Sequence, residues 1–193
     1  MTTKRWGTDF EPDRLALLEL RMWKAYYRRQ PARLLGYLIQ GLHEQARVSW
    51  PRAVASALFL TKAAVGFSRA SGDYDTYAPD VARGYRLLKL PADVDLETVA
   101  REELRWWVVR REIGLAAGQA AGETIGRLYA ALYNVPFEQV AEAGHLRGIA
   151  AEVRDRGATA NPGGPTAPGD EYWPEVSLLL RDSYRSLAAA LNP

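Results

Sequence analysis

The sequence predicts an all-α, internally duplicated helical bundle made of two similar four-helix halves. Apolar residues recur at three- and four-residue spacing through almost every long segment, and no segment shows the sustained alternation typical of a strand. Residues 19–23 (ELRMW) also return, nearly unchanged, as residues 103–107 (ELRWW). We therefore expect residues 1–90 and 91–193 to form two repeats of one compact domain, related by an approximate twofold axis.

Proline and cap residues mark the helices of the first half. Pro12 predicts the start of the first helix, because proline is well tolerated in a first helical turn. Ser49, followed two residues later by Pro51, is typical of a cap and predicts the start of the third helix. Pro79 opens a shorter fourth helix. The expected helices span about residues 12–30, 33–48, 50–69 and 79–88.

The second half repeats these boundaries in the same order. Residues 49–51 (SWP) correspond to residues 134–136 (NVP), and residues 77–81 (YAPDV) correspond to residues 172–176 (YWPEV). The second half is longer because of residues 157–170, which are rich in glycine, proline, alanine and threonine. We expect this segment to be a mobile loop.

Composition excludes several classes of function. The 193 residues are 48% hydrophobic and 25% charged, as in an ordinary globular protein. The absence of cysteine excludes disulfides, thiolate zinc sites and iron–sulfur clusters, and two histidines cannot form a three-histidine metal site. A net charge of +2, with no long run of like charges, does not indicate nucleic-acid binding. Without a stretch of membrane-spanning length, we expect a cytoplasmic protein that does not bind membranes.

Two carboxylates lie within apolar helix faces at matching positions of the two halves. Glu19 belongs to the apolar stripe of the first helix, and Glu103 belongs to that of the fifth. A buried carboxylate costs several kcal/mol unless a positive charge, a metal ion, a proton or a ligand compensates it. One interpretation is structural, with Arg110 lying between Glu19 and Glu103 close to the twofold axis.

The other interpretation makes the same residues a ligand site. Glu19, Glu103 and Arg110 would form the polar floor of a pocket. Its walls would be aromatic, as expected of a small-molecule site. The wall residues are Trp23, Tyr26, Trp106 and Trp107.

A metal site is a further hypothesis. Glu142 and His145 have the Glu-x-x-His spacing, which places both side chains on one helix face, as in bundles that hold two iron or manganese ions. With Glu19 and Glu103 they would supply three carboxylates and one imidazole. The matching positions of the first half, Ala57 and Leu60, cannot bind metal, so the pattern is incomplete.

Glycine recurs at every fourth position of the sixth helix, at Gly118, Gly122 and Gly126. Each glycine inside a helix costs about 1 kcal/mol relative to alanine, so such a ridge indicates the close approach of another backbone. We expect a tight helix crossing there.

Three functions fit these observations, and the residues name no reaction. The first is a non-catalytic helical protein that binds a small ligand or a partner at the Glu/Arg/Trp centre. The second is a carboxylate-bridged iron or manganese oxidoreductase using Glu19, Glu103, Glu142 and His145. The third is a structural or regulatory homodimer without a ligand.

Overall fold

A computed structural model of the chain describes residues 6–114, 118–160 and 171–192. Within these ranges the chain forms eight α-helices, one short 3-10 helix and no strand, which confirms the predicted all-α class. The 3-10 helix is Tyr74–Tyr77, and the α-helices are α1 Pro12–Tyr27, α2 Pro31–Ala46, α3 Trp50–Arg69, α4 Ala78–Arg86, α5 Leu96–Ile113, α6 Gly118–Tyr133, α7 Phe137–Ala160 and α8 Trp173–Leu191.

Proline stands at the helix starts as predicted, whereas the end of α1 and the start of α2 differ from the predicted positions. Pro12, Pro51 and Pro79 each stand in the first turn of a helix. Helix α1 ends at Tyr27 rather than near residue 30, because Arg29 adopts a left-handed conformation (φ 54°) that a helix does not continue through. Helix α2 accordingly begins at Pro31, two residues before the predicted start.

The helices pack in a closed cycle. Each helix packs against its neighbours in the chain, and α8 returns to pack against α1. The closure is reinforced by Arg185, whose guanidinium donates two hydrogen bonds of 2.8 Å to the carboxylate of Asp13. With Arg110 between Glu19 and Glu103, the first and fifth helices were expected to meet near the twofold axis. In the structure α1 packs on α2 and α8 whereas α5 packs on α4 and α6, so the two helices lie across the cycle from each other.

The glycine ridge of α6 is a tight helix crossing, as predicted, and its partner is α7. A β-carbon at Gly122 would lie 2.9 Å from the Cα of His145. A β-carbon at Gly144, on the facing side of α7, would lie 2.5 Å from the backbone nitrogen of Gly126. Real β-carbons essentially never approach other atoms so closely, so glycine is required on both helices. The crossing fixes α7 rigidly against α6.

Helix α7 extends into the segment that was predicted to be a loop. The segment 157–170 was expected to be a mobile loop, but α7 continues through Ala160. Gly157 packs against the ring of Tyr172, where a β-carbon would collide with it. Residues 161–170 lie outside the described residues. The internal duplication stays a prediction: the two halves share a four-helix order, yet α4 has nine residues whereas α8 has nineteen.

The second half supplies most of the large apolar side chains that are fully buried. Ile125, Leu180 and Leu187 are at most 1% exposed, and Val99, Val140 and Val176 are completely buried. Among the described residues of the first half, Val81 of α4 is the only large apolar side chain that is fully buried. None of the described helices is both long enough and apolar enough to cross a membrane.

Candidate functional site

Glu19 forms a buried ion pair with Arg147 of α7. Only 3% of the Glu19 side chain and 13% of the Arg147 side chain are exposed. Glu19 Oε1 accepts a hydrogen bond from Arg147 Nε at 2.7 Å, and Arg147 Nη2 lies 2.6 Å from the same oxygen. Arg147 Nη1 donates to the hydroxyl of Tyr129 at 3.3 Å. The pair therefore ties α1, α6 and α7 together at the centre of the helix cycle.

Burial and charge act in opposite directions on Arg147. Burial by itself lowers the pKa of the guanidinium, but the carboxylate of Glu19 outweighs it and holds the pKa well above its usual value. Burial, followed by the negative charge of Glu19, raises the pKa of the nearby Tyr184 well above its usual value. The charge of Arg147 is therefore opposed by the carboxylates of Glu19 and Glu103, beside neutral tyrosines.

Glu103 is held by three neutral donors. Its Oε2 accepts a hydrogen bond from the hydroxyl of Tyr85 at 2.7 Å. Its Oε1 accepts hydrogen bonds from the indole N–H groups of Trp106, at 3.2 Å, and Trp107, at 3.0 Å. The two tryptophans were expected to line a pocket. In the structure, their indole N–H groups donate hydrogen bonds to the carboxylate of Glu103, which is on the same helix. Burial and the charge of Glu103 raise the pKa of Tyr85 well above its usual value.

The structure brings together four of the seven residues predicted for a ligand site. Glu19 and Glu103 both act electrostatically on Arg147, which lies over the ring of Trp106 at 5.6 Å from its centroid. Trp107 joins them through Glu103. Trp23 packs, partly buried, against the core, and Tyr26 is 62% exposed and contacts Tyr27 edge-on.

Arg110 is not the partner of the two glutamates, which corrects the structural interpretation made from the sequence. Its Nη2 lies 2.5 Å from Oδ2 of Asp155, near the C-terminal end of α7. Arg154 Nη1 binds the other oxygen of the same carboxylate at 3.0 Å. The guanidinium of Arg154 also lies 3.1 Å from the ring centroid of Tyr27. These four residues form a second polar cluster, which we call the Arg110–Arg154 cluster.

Positive charge exceeds negative charge in the Arg110–Arg154 cluster. Its two guanidiniums are 17% and 15% exposed, and its one carboxylate is 7% exposed. Arg110 Nη1 and Arg154 Nε are buried and find no hydrogen-bond acceptor within the part of the chain that the structure describes. Burial raises the pKa of Tyr27, so its hydroxyl is neutral and supplies no second negative charge. Two strong donor groups therefore have no acceptor among the described residues.

The four residues of the predicted metal site are not brought together. Glu142 and His145 are exposed on α7, whereas Glu19 is buried against Arg147 and Glu103 is held by Tyr85 and the tryptophans. Among the described residues, no group of three or more acidic or histidine side chains could hold a metal ion. The Glu-x-x-His spacing of α7 thus faces solvent rather than the bundle interior.

Glu44 is a buried carboxylate that the sequence analysis does not identify. Glu44 of α2 is 1% exposed and binds Arg14 at 3.2 Å and Arg47 at 3.0 Å. The adjacent His43 stacks on Trp50, with 3.9 Å between ring centroids. These contacts hold α1, α2 and the start of α3 together, and they leave Glu44 without a free oxygen for a ligand.

The sequence did carry a signal for the two arginines of α7. Val140, Arg147 and Arg154 are seven residues apart, which puts all three on the same face of the helix. Val140 is completely buried, and both arginines are mostly buried. Arginine on an apolar helix face is as informative as glutamate there, because each needs a buried partner.

A pocket of about 170 Å³ lies at the linker between α4 and α5. It is lined by Arg86, Leu90, Pro91, Ala92, Val94 and Leu96, so it contains none of the residues that the sequence predicts for a site. Comparison with models of protein families, with curated proteins and with solved structures finds no match to this chain.

Proposed function

We propose that this chain is a non-catalytic helical protein that binds a small oxyanion, a phosphate or carboxylate group, at the Arg110–Arg154 cluster. The observation that carries the proposal is the pair of buried guanidinium N–H groups without an acceptor, one on each arginine. The proposal keeps the ligand-binding function expected from the sequence and keeps Arg110 within it. It moves the site from the central glutamates to the end of α7.

Charge accounts for the chemical class of the ligand. Two guanidiniums share the single carboxylate of Asp155, and an uncompensated buried charge costs several kcal/mol. An oxyanion supplies both the missing charge and the missing acceptors. Guanidinium groups suit this role because their planar fork of donors matches the oxygens of carboxylates and phosphates.

The ring of Tyr27 helps to hold Arg154 in place. The guanidinium of Arg154 lies 3.1 Å from the ring centroid, an arrangement that favours a cation electrostatically.

Thermal unfolding in different salts tests the proposal directly. We expect inorganic phosphate, or acetate if a carboxylate is preferred, to raise the Tm of the protein above its value in chloride at equal ionic strength. A ligand that binds only the folded state stabilises it by about 2.7 kcal/mol at a hundred times its Kd. Arg110→Met and Arg154→Met should abolish the increase. Arg156→Met is the matched control, because Arg156 is on α7 but is 64% exposed.

Asp155→Asn keeps the test informative even if the arginine variants are unstable. This change removes the internal competitor for the two guanidiniums, so we expect a lower Tm in chloride and a larger increase with the anion. Equal Tm values in phosphate, acetate and chloride would overturn the proposal. So would loss of the effect in Arg156→Met, because the effect would then reflect overall charge rather than this cluster.

A further inference from the structure

We propose that the ligand of the Arg110–Arg154 cluster carries a second oxyanion group, which binds to the indole N–H of Trp173 and to the ammonium of Lys24. This inference rests on the proposed function and extends it to the chemical class of the ligand. The class is a small molecule with two linked oxyanion groups, a dicarboxylate or a diphosphate.

Trp173 has a buried indole N–H group without an acceptor. It is the first residue of α8 and is 3% exposed, and its Nε1 finds no hydrogen-bond acceptor within the described part of the chain. The N–H groups of Trp6, Trp106 and Trp107 do have acceptors in the protein. Native structures pair nearly all buried donors, because an unpaired one is destabilising. The N–H of Trp173 therefore indicates an acceptor that the described chain does not supply.

The buried side-chain donors that lack an acceptor are confined to one region of the described chain. They are Trp173 Nε1, Arg110 Nη1 and Arg154 Nε, and the last two belong to the Arg110–Arg154 cluster. The other buried side-chain atoms without a partner are carboxylate oxygens of Glu19 and Glu102, which accept rather than donate. The missing acceptors are thus concentrated where the proposed function places an anion.

Contacts along α1 connect Trp173 to the cluster. The ammonium of Lys24 lies 5.1 Å from the centroid of the Trp173 ring. Lys24 is three residues before Tyr27, whose ring lies 3.1 Å from the guanidinium of Arg154. Residues three apart are neighbours on a helix surface and differ by about 4.5 Å along its axis. Trp173 and Arg154 therefore contact adjacent side chains of α1.

Contacts along α7 connect the same two residues independently. Gly157 is three residues after Arg154, and a β-carbon at Gly157 would collide with the ring of Tyr172. Tyr172 precedes Trp173, and the centroids of their rings are 5.1 Å apart. Both paths place Trp173 within about one helical turn of Arg154 along the helix axes. A small molecule bound to the arginines is therefore within reach of Trp173.

Lys24 makes the second group an anion rather than a neutral acceptor. Burial lowers the pKa of this half-buried lysine, the positive charge of Arg28 lowers it further, and no carboxylate among the described residues raises it. An oxyanion would supply the charge that Lys24 lacks and the acceptor that Trp173 lacks. Glu171 and Glu175 stand on either side of Trp173 in the sequence, but both are exposed and leave its N–H unpaired.

The two sets of donors are too widely spread for a single group. Arg110 and Arg154 come from α5 and α7 and share one carboxylate, whereas Lys24 and Trp173 come from α1 and α8. The axes of packed helices are about 8–10 Å apart, which exceeds the width of one carboxylate or phosphate group. Two linked groups also bind more tightly than separate ones, because the second group binds intramolecularly.

Titration calorimetry of the full chain with acetate, succinate, phosphate and pyrophosphate, all at one ionic strength, tests the proposal. We expect succinate to bind with a Kd at least about tenfold lower than that of acetate, or pyrophosphate with a Kd at least about tenfold lower than that of phosphate. The first result identifies a dicarboxylate and the second a diphosphate.

The same titrations separate this inference from the proposed function. If acetate or phosphate binds through Arg110 and Arg154 but neither two-group anion binds more tightly, the second group is overturned and the proposed function stands. If none of the four anions binds, both are overturned.

Two variants test the residues of the second group. Trp173→Phe removes the N–H and keeps an aromatic ring in the buried position, and Lys24→Met removes the charge. Each should raise the Kd of the two-group anion towards that of the matching one-group anion, and each should leave the Kd of the one-group anion unchanged. Lys24→Met changes a half-buried side chain, so the test remains decisive if Trp173→Phe does not fold.

Matched controls exclude a general effect of losing an indole or a lysine. Trp6→Phe removes an N–H that already donates to the carbonyl of Leu88 at 2.9 Å, and Lys89→Met removes an exposed charge. Neither control should change the Kd of the two-group anion. The inference is overturned if that Kd is the same in wild type, Trp173→Phe and Lys24→Met, or if the controls raise it equally.

Discussion

Glu19 and Glu103 occupy matching positions in α1 and α5, yet they are stabilised in opposite ways. Glu19 faces a single full positive charge, the guanidinium of Arg147, at 2.6–2.7 Å. Glu103 accepts three hydrogen bonds from neutral groups, the hydroxyl of Tyr85 and the indoles of Trp106 and Trp107, at 2.7–3.2 Å. The same residue in the same sequence context therefore depends on one strong partner in one place and on several weaker ones in the other.

This difference predicts how the stability of the fold responds when each glutamate is neutralised. Neutralising one member of a buried ion pair leaves the other as a bare charge, which is strongly destabilising. Neutralising a carboxylate that is held by neutral donors leaves no charge behind, and an amide oxygen can still accept from the same N–H groups. The substitution of glutamate by glutamine, made separately at both positions, compares the two directly.

The largest effect is expected for Glu19→Gln. This change leaves the guanidinium of Arg147 buried without its carboxylate, and we expect a loss of about 3–5 kcal/mol of unfolding free energy in denaturant melts. The double variant Glu19→Gln with Arg147→Met removes both charges and should recover much of the loss. If the losses of the two single variants simply add in the double variant, Glu19 and Arg147 are not energetically coupled, which would contradict the ion pair seen in the structure.

A smaller effect is expected for Glu103→Gln. The three hydrogen bonds become bonds to a neutral group, and one amide N–H must be accommodated by the hydroxyl of Tyr85, so we expect a loss of about 1–3 kcal/mol in the same melts. If this variant instead loses as much as Glu19→Gln, the neutral donors are not what stabilises Glu103. The charge of Arg147, which also acts on Glu103 electrostatically, would then be the principal partner.

The smallest effect is expected for Tyr85→Phe, and it has a signature in alkaline solution. Removing the hydroxyl should cost about 1 kcal/mol at neutral pH. The pKa of Tyr85 is raised in the folded chain by burial and by Glu103, while an unfolded tyrosine ionises near pH 10. The unfolded chain thus loses its proton first, and stability falls as the pH rises above about 10.

Tyr85→Phe should make this alkaline loss of stability less steep, as followed by denaturant melts at a series of pH values. Part of the loss will remain, because burial also raises the pKa of Tyr129 and Tyr184. The control is Tyr26→Phe, which removes the hydroxyl of a tyrosine that is 62% exposed and should leave the free energy of unfolding at neutral pH unchanged. An identical pH dependence in wild type and Tyr85→Phe would contradict the prediction.

Sequence reasoning identified the kind of compensation that Glu19 needs but assigned it to the wrong arginine. Both Arg110 and Arg147 lie on largely buried helix faces, so the sequence offers two candidates of equal chemistry. Which arginine binds Glu19 depends on how α7 packs against α6, because this packing lets the side chain of Arg147 reach α1. That packing follows from Gly122 and Gly126 meeting Gly144, a contact that periodicity along one helix does not reveal.

The sequence by itself determined the all-α class, the proline-marked helix starts, the glycine crossing and the presence of charged residues on apolar faces. Each of these is local, because helical periodicity and turn chemistry depend on residues only a few positions apart. Only the tertiary structure decided that Arg147 binds Glu19, that Arg110 and Arg154 share Asp155, and that four large apolar side chains of α3 stay exposed. Those outcomes depend on which faces meet in the closed cycle of helices, and helix faces far apart in sequence are matched only by packing.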